Sequence, residues 1–193
     1  MNRSSLPPPP DFAALEMAAQ AGSDERQRFL ALIGDLNFAW ANNESLLIYL
    51  LMLLAGVDER KAAIIHATLN TTRARLDLIQ RLAKIGLPDG MERGELEGIV
   101  DAFTAATRLR NDLMHATFVI GSGGAFTHTH SMKLQEAGNR LRFGTRRLLD
   151  EARLTEIRKA VQDLKALNRR IWGFLPVLEE ALGKPGGQGP AAG

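Results

Sequence analysis

The chain has 193 residues, enough for one domain with a substantial apolar core. Its 24 Lys and Arg against 22 Asp and Glu leave a formal charge of +2, so local clusters rather than bulk charge must carry any argument for a polyanionic partner. The absence of cysteine excludes disulfides and thiolate metal sites and fits a reducing, cytoplasmic setting.

Residues 1–10 contain four consecutive prolines and read as a disordered leader. They lack the apolar core of a secretory signal. A folded domain is expected over residues 11–182. The Gly- and Pro-rich segment 183–193 reads as a disordered tail. A first helix is predicted over Phe12–Ala21. The second runs from Asp24 to Ala55, with Phe29, Leu32, Ile33, Leu36, Ala39, Trp40, Leu47 and Leu50 at helical spacing and Gly56 as its stop. Its run Leu46–Val57 is strongly apolar, but about 12 residues fall short of the ~20 that span a bilayer. A buried core helix, and no membrane, is the expectation.

Asp58 caps a predicted third helix that continues unbroken from Glu59 to Ile85. Gly86–Gly90 is a turn, and a fourth helix follows over Arg93–Ala116. The pattern then alternates from Ala116 to Leu134, centred on Gly121–Gly124, as two strands joined by a Gly-rich loop. Residues 141–149 add a third strand or an extended return. The last helix is expected after Leu154, capped by Thr155 and bent or restarted at Pro176. The fold class is therefore all-α: an antiparallel bundle of four to five helices with a small β-hairpin inserted before the last helix.

Arg108–Ala116 reads RLRNDLMHA, placing Arg110, Asn111 and His115 within six residues late in the fourth helix. Arginine offers a fixed cationic fork for phosphate, and histidine a proton near neutral pH. The same residues also suit a bland reading. His115 then answers the helix macrodipole, and Arg110 pairs with Asp112 or Glu44. In its context the run resembles the signature of the HEPN superfamily: arginine, a polar residue, then histidine four to six positions after the arginine. The resemblance covers about residues 24–182. It implies a metal-independent endoribonuclease of toxin or defence type, without cofactor, whose two motifs share one groove in a homodimer. It equally implies a member without catalysis that dimerises or binds a partner protein such as an antitoxin.

In RNA cleavage of this kind the 2′-hydroxyl attacks the adjacent phosphate. His115 then serves as acid or base, Arg110 holds the phosphate, and Asn111 orients His115 or touches phosphate. One histidine per chain does not easily do both proton transfers, so a dimer is required. Trp40 and Glu44 share a face of the second helix. Trp40 reads as core, and Glu44 as either a solvated residue or a neighbour of the motif paired with Arg110.

His128 and His130 alternate by two and share one face of a strand. No acid or cysteine nearby completes a metal set, so they are read as an exposed hairpin face or as RNA contacts. His66 has no evident partner. Basic clusters occur at Arg73/Arg75/Arg81, at Arg140/Arg142/Arg146/Arg147 with Phe143 among them, and from Arg158 to Arg170. The middle cluster is the candidate RNA contact, against the ordinary reading of a solvated face. Gly121–Gly124 lacks the ending of a phosphate-binding loop and is a hairpin turn.

Overall fold

The computed structural model describes residues 11–21, 23–138 and 140–183. The expected leader over 1–10 and all of the expected tail beyond Gly183 lie outside the described residues. The described chain is mostly helical, with the order α1 (Phe12–Ala21), α2 (Ser23–Ala55), α3 (Glu59–Thr68), α4 (Thr72–Gly86), α5 (Met91–Met114), β1 (Ala116–Ile120), β2 (Phe126–Ala137), β3 (Arg140–Leu148) and α6 (Glu151–Ala181). It forms two compact units. The first takes residues up to Gly34 together with Asp112–Glu156; the second takes Asp35–Asn111 together with residues from Ile157. Helices α2, α5 and α6 contribute to both.

Several elements differ from expectation. The chain is helix-rich rather than all-α: of the two expectations for residues 141–149 the structure has the third strand, so the hairpin becomes a three-stranded antiparallel sheet in the order β1-β2-β3. The alternating run after Gly138 finds the edge of β2 that β1 leaves open. The single helix expected over Glu59–Ile85 is two. Leu69 and Thr71 are extended, and the Thr71 hydroxyl accepts from the Ala74 amide at 3.1 Å, so it caps α4. An N-cap outweighs continued apolar spacing here, because it satisfies an amide that the new helix leaves open. Helix α6 starts before Thr155, since Asp150 accepts from the Arg153 amide at 2.9 Å. Pro176 lies inside α6 without restarting it. Asp58 does cap α3, accepting from the Lys61 amide at 2.9 Å, and Gly56 ends α2 with φ 65°.

In the first unit the sheet turns Phe118 and Phe126 onto Phe29 of α2, with ring centroids 5.4–5.5 Å apart. Thr129 is buried beside them in register with Phe118. In the second unit the buried apolar residues include Leu36, Leu47, Leu50 and Leu51 of α2, Ile79 of α4, Leu96, Ile99 and Phe103 of α5, and Ile157, Leu164 and Ile171 of α6. Side-chain contacts set the directions. Asn37 meets Arg110 and Trp40 meets Phe103 and Thr107, so α5 runs against α2. Asn43 meets Leu164 and Tyr49 meets Trp172, so α6 runs with α2. Helix α2 is long and apolar enough to cross a membrane by length and composition, yet half of its most apolar stretch is buried inside the fold. That burial is what a core helix shows.

Candidate functional site

Arg110 lies on the part of α5 that belongs to the second unit. Its guanidinium carbon sits 4.4 Å from the centre of the Trp40 ring. Nε and Nη2 donate to Asn37 Oδ1 at 3.2 and 3.0 Å, and Nη1 donates to Asn111 Oδ1 at 3.1 Å. The platform is fixed in turn. Trp40 is buried, its indole N–H donates to Thr107 Oγ1 at 2.9 Å, and that hydroxyl donates to the Phe103 carbonyl at 2.7 Å. Its ring also stacks on Phe103 at 5.8 Å. The half-buried cation is thus held flat by an aromatic face and two amide oxygens. Among the described residues, one N–H on each terminal nitrogen is left uncommitted.

A cleft of about 450 Å³ opens between α4 and α5 and shares Thr107 and Asn111 with this constellation. Its lining carries both signs of charge, Arg73 and Arg108 with Asp77 and Asp101, around the apolar Leu76 and Val100.

Glu44 does not partner Arg110. It pairs with the Arg75 guanidinium and accepts from the Thr72 hydroxyl at 3.0 Å. The pair is largely enclosed, with side chains 15% and 18% exposed. Arg75 also donates through Nε to the His66 carbonyl at 2.9 Å. The expected link between Glu44 and the motif is therefore corrected: α4 begins where α2 carries Glu44, and its first turn supplies the cation. His66 Nε2 is buried with no hydrogen-bond partner among the described residues. Burial, reinforced by the Arg75 charge, pushes the His66 imidazole below its ordinary value; Glu44 and its backbone carbonyl oppose this.

His115 belongs to the first unit, where it stands exposed in the turn between α5 and β1. Asp112 pairs with Arg147 at 3.5 Å rather than with Arg110. His128 and His130 share the outer face of the sheet with Thr117 and Arg146, as their register requires. His128 accepts or donates at Nδ1 with the Thr127 hydroxyl at 2.9 Å and meets Arg146 through Nε2. The His130 ring lies against Gly144, whose φ is 77°. The side chains of Arg140, Arg142 and Phe143 lie outside the described residues. The flanking basic clusters are partly spent in ion pairs: Arg75 with Glu44, Lys159 with Asp163 at 2.6 Å, and Arg170 with Glu95 at 2.5 Å. The Arg170 hydrogen bond holds the Glu95 carboxyl below its ordinary value.

Asn37 was not singled out from the sequence. Its signal was a polar residue three positions before Trp40, on the face where the apolar stripe of α2 is otherwise continuous. Among the described residues, no group of three or more His, Asp or Glu is placed to hold a metal ion. No family model, curated protein or solved structure matches this chain.

Proposed function

We propose that the chain is a HEPN-like helical-bundle protein and a metal-independent endoribonuclease, cytoplasmic and homodimeric, with Arg110, Asn111 and His115 as its catalytic residues. The observation that carries this is the fixed presentation of Arg110: a guanidinium held over Trp40 by Asn37 and Asn111, with an N–H free on each terminal nitrogen. A fork fixed before substrate arrives stabilises developing phosphoryl charge without reorganising. In the reaction, the 2′-oxygen forms a bond to phosphorus and the bond from phosphorus to the 5′-oxygen breaks. One imidazole takes the proton of the attacking hydroxyl, and another gives a proton to the leaving oxygen. Two chains supply the two histidines.

One observation favours a second reading, a non-catalytic module that dimerises or binds a protein such as an antitoxin. Three of the five Arg110 N–H groups are spent inside the protein, which suits a structural cation. Incubating varied RNAs with wild type and His115→Ala, without added metal, tests the first reading. Wild type is expected to leave 2′,3′-cyclic phosphate ends, and His115→Ala to cleave ~10² to 10⁴ times more slowly. Equal cleavage by both, or none by either, refutes it.

A further inference from the structure

Strand β2 is longer than its first neighbour. β1 pairs with it only as far as Ala116↔Ser131, whereas Leu134–Ala137 pair with β3 alone, in register with Phe143–Arg140. The chain reverses beyond Ala137 at Gly138, with φ 58°. The sheet therefore ends in a two-stranded ribbon that runs past the start of β1 by roughly 20 Å, at about 3.3 Å per residue.

Charge concentrates on these two strands. Residues 132–148 carry five cations, Lys133, Arg140, Arg142, Arg146 and Arg147, and one anion, Glu136; the other residues hold 19 cations and 21 anions. A chain that is net acidic elsewhere has thus gathered its positive charge on this strand pair, with Lys133, Arg140 and Arg142 on the ribbon beyond β1 and Arg146 and Arg147 beside the part that β1 covers. Arg146 is exposed, and its face of the sheet adds His128 and His130.

We propose that this ribbon is an arm that holds the phosphate backbone of single-stranded RNA. The choice of RNA rests on the ribonuclease reading above. The choice of a single strand follows from shape. The deep, narrow major groove of A-form RNA does not admit a ribbon, whereas the major groove of B-form DNA does. A ribbon that serves RNA therefore meets unpaired strand, whose phosphates its cations can follow.

The test is fluorescence anisotropy with a labelled oligouridine, on full-length wild type, Arg140→Gln/Arg142→Gln, and a charge-matched control, Arg60→Gln/Lys84→Gln. Each is also measured in a His115→Ala background, so that binding is read without cleavage. Losing two phosphate contacts lowers the slope of log K against log salt by about 1.4. That corresponds to roughly 25-fold weaker binding at 0.1 M salt. The control is expected to bind as wild type does. An unchanged slope and affinity in Arg140→Gln/Arg142→Gln overturns the proposal, and so does an equal loss in the control. Tighter binding of duplex RNA or duplex DNA overturns the assignment to single strands. Cleavage that depends on His115 while the arm variant binds normally refutes the arm alone. Arm-dependent binding without any cleavage refutes the nuclease alone.

Discussion

Replacing Arg110 with lysine separates what this residue does for the fold from what it does for a phosphate. The guanidinium makes three hydrogen bonds, two to Asn37 Oδ1 and one to Asn111 Oδ1, and lies 4.4 Å from the Trp40 ring centre. An ammonium is a single point donor on a flexible stem and cannot span both asparagine oxygens. At least one bond from a charged donor is lost, worth about 1.5 kcal/mol before any discount for partial exposure. The cation over the ring contributes a further ~0.5–1 kcal/mol, part of which lysine keeps. The net cost is about 2 kcal/mol, which in a chain of this size lowers Tm by about 4–8 °C. Trp172 is the only other tryptophan and is half exposed. In a Trp172→Phe background, thermal melts followed by fluorescence therefore report the Trp40 platform directly. A loss under 0.5 kcal/mol, with unchanged Trp40 emission, would refute the claim that the two asparagines and the ring fix this cation.

Two further outcomes follow from other contacts. Gly144→Ala forces a side chain into a φ of 77° and brings its Cβ into the His130 ring; a cost of ~1–2 kcal/mol is expected from the backbone alone. In urea titrations, His130→Ala should recover the collision part in a double-mutant cycle, and zero coupling would show that the ring does not select glycine there. His66 titrates below its ordinary value in the folded state, so the unfolded chain binds its proton more readily. Its contribution is full above pH ~6.5 and is lost as pH falls through that value. Melting scans at pH 7.5 and 5.5 should show a smaller acid loss in His66→Asn than in wild type; equal losses would remove His66 as the cause.

The legible parts of the fold are those where one local rule acts alone. Gly56 and Asp58 punctuate α2 and α3 in the sequence as they do in the structure, and the apolar period of α2 holds from Phe29 to Leu50. The break between α3 and α4 is hidden because Leu69 and Leu76 keep the period across it. The signal that betrays it is the polar run Asn70–Thr72, a start signal rather than a breaker. At the candidate site, the run around Arg110 shows which residue types are present but not what they touch. The partner of Glu44 is 31 residues away, and those of Arg110 on α2 are 70 and 73 away. Pairings at that range are chosen by how helices pack, and no local spacing encodes them.

Asn43 is fully buried, and its amide nitrogen donates to the Ala39 carbonyl at 2.8 Å and to the Leu164 carbonyl at 2.9 Å. Deep between two largely apolar helix faces this side chain works like a dowel, with Asn168 reaching the Asn42 carbonyl at 3.4 Å nearer the surface. A slip of α6 along α2 by part of a turn would break the bond to Leu164 and leave the amide short of an acceptor until the next backbone carbonyl came round, about 5.4 Å on. The apolar contacts supply the adhesion, and the buried amide restricts the offset to those that bring it a carbonyl, so sliding of α6 along α2 is stepped rather than smooth.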